Sequence, residues 1–230
     1  MRSRDYDAVI VGARCAGAAT AMLLARRGLR VLAIDRASYG RDTLSTNALM
    51  RGGVLQLGRW GLLGAVEAAG TPAVRHTAFH YGDEVIDIAI KPRDGIDALY
   101  APRRTVLDAL LVDAAREAGA TVRFGARFRE LLHDAGGRVR AVVIENADGT
   151  IDTVGCRIAV GADGVRSTVA RAVGAGRYRV ARHATGVVYG YFHGLELDGY
   201  HWYYRALVSA GAIRTNDDLT CVFASVPANR

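Results

Sequence analysis

The chain has 230 residues, of which half are hydrophobic, with 27 glycines, 4 prolines and a formal net charge of +7. This composition is typical of a folded protein with many turns and excludes an extensively disordered one. Because Lys91 is the only lysine and the arginines are spread along the chain, a basic arm that binds nucleic acid is not expected either.

The first segment predicts a βαβ unit. Residues 6–11 are rich in β-branched side chains, residues 16–27 favour a helix, and residues 30–34 are apolar again. Gly12 permits a tight turn out of the first strand, and Gly17 allows the helix to pack closely on the sheet. Backbone N–H groups at the start of such a helix bind a pyrophosphate. Asp35, at the end of the second strand, is placed to accept hydrogen bonds from an adenosine ribose diol and to repel a 2'-phosphate.

Arg14 stands where the usual nucleotide-binding turn has its second glycine. A glycine turn that only connects strand to helix is the alternative interpretation, but the correctly placed Asp35 favours dinucleotide binding. We expect Arg14 to be tolerated, with its guanidinium turned outward onto phosphate or onto a neighbouring carboxylate.

The middle of the chain departs from the βαβ pattern. Residues 42–63 predict two short helices broken by glycines, and residues 74–90 predict a hairpin around Gly82 and Asp83. A helix follows at 103–119, with one apolar face and a glycine stop. Strands are then expected at 120–124, 139–145 and 150–154, which form a β-meander.

Residues 156–171, CRIAVGADGVRSTVAR, are an apolar strand that ends in Asp163 and Gly164 before a helix. Asp-Gly is also a common turn, and Asp a common helix cap, but the preceding apolar strand favours a functional motif. Together with the N-terminal unit, this stretch resembles the second fingerprint of FAD-dependent monooxygenases of the para-hydroxybenzoate hydroxylase type. It also resembles that of the related geranylgeranyl reductase-like flavoproteins.

The resemblance implies an α/β fold, with a Rossmann-like FAD/NAD(P)-binding domain and an incomplete β-rich substrate domain. It implies FAD as the cofactor and NAD(P)H as the reductant. Residues 1–73 and 101–176 would form the discontinuous FAD-binding domain, and residues 74–100 and 177–230 the substrate-domain segments. The implied cofactor-binding residues are Gly12, Ala13, Arg14, Ala16, Gly17, Asp35, Arg36, Arg51, Arg104, Asp163 and Gly164.

Two of these arginines also have a plain surface interpretation. Arg104 begins the predicted central helix, where a cation is unfavourable on dipole grounds, so an anion is expected beside it. Arg51 resembles a position that reaches the ribityl and pyrophosphate region, and the alternatives of ligand contact and surface charge are evenly balanced. No catalytic side chain is assigned, because the flavin carries the redox chemistry in such enzymes.

Aromatic strands follow residue 176. In the resembled family this sheet faces the isoalloxazine ring, so Tyr189, Tyr191, Trp202 and Tyr203 are candidates to line a pocket. Packing within the sheet is the more common role of such residues. The resemblance also implies a third, Gly-Asp fingerprint that this sequence does not contain, so we expect either a truncated chain or a partner that supplies the rest. Its half-built substrate sheet would expose an edge and an apolar face, which favours self-association.

The predicted function is hydroxylation of a small organic substrate, aromatic or polyketide-like, by an NAD(P)H-dependent FAD monooxygenase. Reduction of isoprenoid double bonds and a non-catalytic FAD-binding module remain as alternatives. Three dispersed cysteines without a CxxC pair favour a reduced, cytoplasmic protein, and the dispersed histidines predict no metal site. No apolar run reaches the roughly 18 residues of a membrane span, so no integral membrane segment is expected.

Overall fold

The computed structural model describes residues 6–45, 47–181 and 183–228. These residues form five helices: α1 Cys15–Ala25, α2 Arg51–Trp60, α3 Leu63–Ala68, α4 Arg104–Glu117 and α5 Thr168–Ala172. They form twelve strands: β1 Tyr6–Val11, β2 Val31–Asp35, β3 His76–Tyr81, β4 Glu84–Ala89, β5 Thr121–Phe124, β6 Arg127–His133, β7 Val139–Glu145, β8 Ile151–Gly161, β9 Thr185–Phe192, β10 Tyr200–Arg205, β11 Val208–Arg214 and β12 Thr220–Pro227.

The chain divides into two compact units, residues 1–41 with 107–178 and residues 42–106 with 179–230. The sheet of the first unit has the strand order β5-β2-β1-β8-β7-β6. Its first four strands are parallel neighbours, and β7 and β6 add an antiparallel edge. Residues such as Val9, Leu32 and Ile144 form its buried core. Parallel strands joined through α1 confirm the α/β, Rossmann-like prediction.

Strand β8 corrects one sequence prediction. Residues 150–154 and the apolar stretch from Cys156 were expected to form separate strands, but Ile151–Gly161 is a single strand of 11 residues. Its first half pairs antiparallel with β7, where Gly155 lies opposite Ala141. Its second half pairs parallel with β1, where Cys156 lies opposite Tyr6. Gly155 does not interrupt the strand because its backbone lies within the β7 ladder.

Strand β6 was not predicted. Its pairing with β7 shifts register twice, between Phe128 and Glu130 and between Leu132 and His133. These irregularities break the alternation of buried and exposed side chains, so the segment lacks the two-residue period by which a half-buried strand is detected.

The second unit contains a sheet with the order β4-β3-β10-β11-β12-β9. The predicted hairpin is confirmed, since β3 and β4 pair around Gly82, which has φ +69°. On its other side, β3 pairs parallel with β10. The core of this unit is built from Val74, Leu99, Ala101, Tyr200 and Ile213. Every residue of β4 is exposed, as are most of β9.

The boundaries of the compact units differ from the predicted domains in residues 177–178, which group with the first unit, and in residues 42–73 and 101–106, which group with the second unit. The reason is a set of polar contacts within that unit. The Arg51 guanidinium donates to the carbonyl oxygens of Lys91 and Ile96 at 2.6 and 2.7 Å. The Asn216 amide donates to the carbonyl of Ala69 at 2.9 Å. Which residues of this stretch serve the cofactor stays a prediction.

Within the part of the chain that the structure describes, none of the helices has the length and apolar character needed to cross a membrane. In the same residues, no group of three or more His, Cys, Asp or Glu side chains is placed to hold a metal ion.

Candidate functional site

The turn between β1 and α1 requires glycine at two positions. Gly12 has φ +100°, and a Cβ there would lie 2.3 Å from the carbonyl oxygen of Ala162. A Cβ at Gly17 would lie 1.7 Å from the carbonyl oxygen of Gly12. Both positions are therefore places where backbone approaches backbone, and any side chain would push the turn apart.

Three parallel strands end at this turn. The Gly12 N–H donates to the carbonyl of Ile34, at the end of β2, at 2.7 Å. The Ala162 N–H, after β8, donates to the carbonyl of Val11 at 2.7 Å. Here β1 stands between β2, which follows it in the chain, and β8, which comes much later. This switch point at the carboxyl ends of the strands is where ligands bind in open α/β sheets.

The first turn of helix α1 lies at the same place. Arg14 is its N-cap residue, and the Arg14 side chain does not cap the helix. Ala13 is buried and Ala16, in the first turn, is exposed. The N–H groups of a first helical turn and the positive end of the helix dipole are suited to an anion such as a pyrophosphate.

Asp35 links the end of β2 to this turn. One carboxylate oxygen accepts from the Ala13 N–H at 3.0 Å and the other from the Ala37 N–H at 2.8 Å. Each oxygen has a further lone pair, so the carboxylate can also accept from a ribose diol. Arg36, next in the chain, is exposed.

The Arg14 side chain pairs with a carboxylate on α4. Its guanidinium lies 3.3 Å from Asp108, whose side chain is 9% exposed, and the Cys15 thiol donates to the same carboxylate at 3.0 Å. This pairing neutralises the charge at the position of the missing glycine. Sequence reasoning missed Asp108, although an acidic residue beside Leu107 on the buried side of a helix was a usable signal.

An aromatic cleft beside Asp35 was also missed. The rings of Tyr39 and Phe124 meet edge to face at 5.6 Å, and both line a cleft together with Asp35. The Tyr39 hydroxyl donates to Asp113 at 2.6 Å, and this hydrogen bond raises the pKa of Tyr39. The Arg116 guanidinium lies 5.2 Å above the Tyr39 ring. An aromatic wall next to a carboxylate suits the chemistry of a planar base that is joined to a diol.

Asp163 and Gly164 lie at the end of β8. The Asp163 carboxylate accepts from the backbone N–H and the hydroxyl of Thr168, each at 2.6 Å, and from the hydroxyl of Ser167. Although burial raises the pKa of Asp163, the hydrogen bonds from Ser167 and Thr168 bring it below its usual value. Gly164 has φ +82°, which favours glycine. Asp163 therefore orients the start of α5, and its role toward a cofactor stays a prediction.

The structure brings together the six predicted residues Gly12, Ala13, Arg14, Ala16, Gly17 and Asp35, and the Asp163 backbone adjoins Gly12 through Ala162. Arg51 begins α2 in the second unit and donates to two backbone carbonyls there. Arg104 is the first residue of α4 and is half-buried. The cofactor roles of both arginines stay predictions.

The four aromatic candidates of the second sheet do not form one cluster. Tyr189 and Tyr191 lie on β9, with rings 5.9 Å apart, whereas β12 and β11 separate them from β10. On β10, the Trp202 indole donates to Thr77 at 2.9 Å, and Tyr203 stacks on His80 at 4.3 Å. Trp202 and Tyr203 are engaged within the sheet, so packing explains their positions.

Comparison with known proteins points to flavoproteins. The menaquinone reductase of Mycolicibacterium smegmatis is 34% identical over 170 residues, which cover 73% of this chain and 40% of that protein. The aklavinone 12-hydroxylase RdmE of Streptomyces purpurascens is 30% identical over 213 residues, which cover 82% of this chain and 39% of that protein. The chain thus spans about two fifths of the length of these curated relatives.

A solved structure shares the fold. The crystal structure of pqsL, described as a probable FAD-dependent monooxygenase from Pseudomonas aeruginosa, matches with a TM-score of 0.83 at 20% identity. The match covers 97% of this chain and 61% of that chain. A family model described as an FAD binding domain matches residues 5–194. The chain therefore belongs to the FAD binding domain family, as the two fingerprints in its sequence indicated.

Proposed function

We propose that this chain binds FAD and belongs to an NAD(P)H-dependent monooxygenase that hydroxylates a small organic substrate, aromatic or polyketide-like. One observation carries the proposal: the Gly12 turn, the N-terminus of α1 and the Asp35 carboxylate converge at the switch point of a parallel sheet. The similarity to a protein named aklavinone 12-hydroxylase favours hydroxylation.

The residues of the first unit have separate roles in this proposal. The N–H groups of the first turn of α1, including Ala16 and Gly17, would bind the pyrophosphate. Asp35 would accept from the adenosine ribose, and its negative charge would disfavour a 2'-phosphate. Tyr39 and Phe124 would pack against the adenine, because a planar base is suited to an aromatic wall.

The remaining proposed contacts depend on residues with other structural partners. Arg14 would stay paired with Asp108, so the charge of its guanidinium is already neutralised at the turn. Asp163, with Gly164, would border the cofactor while it caps α5, and Arg36, Arg51 and Arg104 would supply cations nearby. FAD, when bound, would supply the electron transfer and oxygen chemistry, and the protein would supply binding, orientation and exclusion of water.

A second candidate is a reductase of the geranylgeranyl reductase-like type, which would reduce isoprenoid double bonds. The similarity to a protein named menaquinone reductase favours it. Turnover that consumes oxygen would support hydroxylation, whereas turnover that proceeds without oxygen would support reduction. A third candidate is a non-catalytic FAD-binding module, and steady oxidation of NADH or NADPH would exclude it.

The first experiment is a visible absorption spectrum of the 230-residue protein after incubation with FAD and gel filtration. Retained flavin bands support the proposal, and the Gly12→Val protein, in which a side chain meets Ala162, should elute without them. A folded wild-type protein without flavin bands would contradict FAD binding. Oxidation of NADH and NADPH by the loaded protein then tests the reductant, and no oxidation with any substrate would favour the non-catalytic module.

The elution volume in the same experiment tests self-association. On the edge strands β4 and β9, Val85, Ile88 and Val188 are 56%, 46% and 74% exposed. Such an edge is able to pair with a second copy. A cytoplasmic location also belongs to the proposal, and it is supported by three cysteines that form no disulfide within the described residues.

A further inference from the structure

Three side chains of the second unit form a polar cluster that has no role in the FAD site described above. The Asn47 amide donates to the Tyr191 hydroxyl at 3.0 Å. The Arg103 guanidinium lies 4.6 Å above the Tyr191 ring and 2.8 Å from Asp42. We call these three residues, Asn47, Tyr191 and Arg103, the Asn47 cluster.

Two polar atoms of the cluster are buried without partners. Asn47 is 4% exposed, and its Oδ1 accepts no hydrogen bond from any residue that the structure describes. The Nε of Arg103 likewise donates none in the described part of the chain. Unpaired buried polar groups cost free energy and are rare, so each of them calls for an explanation.

The backbone at Asn47 is strained as well. Its φ is +62°, a left-handed conformation that asparagine adopts more readily than most residues but that glycine adopts without cost. Its N–H donates to the Ser45 hydroxyl at 3.1 Å, which helps to hold this conformation. Strained residues persist where surrounding structure over-determines them, and they concentrate at ligand sites.

The charges around the cluster select the kind of ligand. The Arg103 guanidinium faces two carboxylates, Asp42 at 2.8 Å and Asp217 at 3.7 Å, so the immediate surroundings have a net negative charge. A carboxylate ligand would be repelled there, whereas a neutral hydrogen-bond donor would not.

The Tyr191 hydroxyl is available to donate to a ligand. Burial raises the pKa of Tyr191, although the hydrogen bond from Asn47 lowers it, so the phenol keeps its proton at neutral pH. Among the described residues, this hydroxyl accepts from Asn47 but has no acceptor for its own proton. One neutral hydroxyl of a ligand can donate to Asn47 Oδ1 and accept from Tyr191 at once.

We propose that the Asn47 cluster determines substrate specificity by binding a neutral hydroxyl group of the organic substrate, with Asn47 Oδ1 as the acceptor and the Tyr191 hydroxyl as the donor. Arg103 positions the Tyr191 ring and does not itself bind the hydroxyl. This inference rests on the proposed function, since it assigns the substrate a phenolic or enolic O–H. The edge of a flavin ring carries an N–H beside a carbonyl, which would form the same two hydrogen bonds. The test therefore distinguishes a substrate hydroxyl from the flavin edge.

Equilibrium dialysis of the protein, with and without FAD, compares three probes. 2-Naphthol has one neutral hydroxyl, naphthalene has none, and 2-naphthoate carries a negative charge in its place. We expect the wild-type protein to bind 2-naphthol about tenfold more tightly than naphthalene, because the two hydrogen bonds to its hydroxyl each contribute a few-fold in affinity. We expect 2-naphthoate to bind no better than naphthalene.

Asn47→Gly is the decisive variant, because glycine keeps the left-handed backbone and relieves its strain while it removes the amide. Its melting temperature should equal or exceed that of the wild type, and its preference for 2-naphthol should disappear. Tyr191→Phe should lose part of the preference. Tyr189→Phe, on the same strand but outside the cluster, is the matched control and should keep it.

Two results would overturn the proposal: the wild-type protein binds 2-naphthol and naphthalene alike, or Asn47→Gly keeps the preference for 2-naphthol. If Asn47→Gly keeps that preference and also loses its FAD absorbance, the amide is assigned to the flavin instead. Failure of FAD binding alone would contradict the proposed function. The affinities for the three probes would still test the present proposal, because dialysis is also done without FAD.

Discussion

Replacement of Gly17 by alanine tests the close approach on which the nucleotide turn depends. The new methyl would lie 1.7 Å from the Gly12 carbonyl oxygen, whereas an ordinary van der Waals contact is 3.4–4 Å. The obstructing atom belongs to the backbone, so the turn must open by roughly 1.7 Å rather than a side chain rotating away.

The expected loss of stability follows from two opposing effects. Overpacking of this kind costs about 1–3 kcal/mol, and a backbone obstacle places Gly17→Ala at or above the upper end of that range. Alanine in a helix is favoured over glycine by about 1 kcal/mol. The free energy of unfolding should therefore fall by about 2 kcal/mol, which lowers the melting temperature by about 4–8 °C for a chain of this size. The displaced turn should also lose FAD on gel filtration.

The matched control is Gly64→Ala. Gly64 is the second residue of α3, and a Cβ there meets no atom within 4 Å. The control should gain up to about 1 kcal/mol from helix propensity and should keep FAD binding. If Gly17→Ala has the same melting temperature as Gly64→Ala and retains the flavin, the close contact does not determine the conformation of the turn.

The remaining predictions concern the acidic residues of the first unit. Asp35→Ala should weaken FAD binding about 10- to 100-fold, since hydrogen bonds to a charged group contribute about 1.5–3 kcal/mol; flavin fluorescence measures this, and an unchanged affinity would remove Asp35 from the site. Asp108→Ala leaves the partly buried Arg14 without this carboxylate and should destabilise the protein by about 1–2 kcal/mol in urea unfolding. In the Arg14→Ala background the same change should cost less, and equal costs would show that the pair does not interact. The folded pKa of Asp163 lies below its unfolded value, so its contribution to stability is present above about pH 4 and is lost as the pH falls through the folded pKa. In Asp163→Asn, the free energy of unfolding should fall less steeply as the pH is lowered below about 4. An unchanged fall would mean that other carboxylates determine it.

The nucleotide turn was predictable because its parts are close in sequence. Gly12 and Gly17 are separated by less than two helical turns, and Asp35 follows at the end of the next strand. Strand, glycine turn and helix each have a local signal, whereas the role of the turn toward a pyrophosphate stays a proposal. The hairpin at Gly82 was predictable for the same reason.

Contacts between distant residues were not predictable from local patterns. The sequence raised the question of Arg14 and its partner, but only the fold brings Asp108, 94 residues away, to the guanidinium. The edge-to-face pair of Tyr39 and Phe124 likewise joins a loop to a remote strand. Arg51 had the pattern of a cofactor-binding arginine, yet in the structure it donates to two backbone carbonyls.

The pairing of β1 with β8 has a consequence for synthesis of the protein. Tyr6 lies opposite Cys156, so these neighbours are about 150 residues apart in the chain, and Ala162 forms one wall of the Gly12 turn. A ribosome that adds about 5–20 residues per second therefore delivers that wall roughly 8 to 30 seconds after the glycine. During this interval β1 has an unpaired edge, which chaperones or other chains are able to bind. The nascent protein acquires its nucleotide pocket late, although the residues that define it are made first.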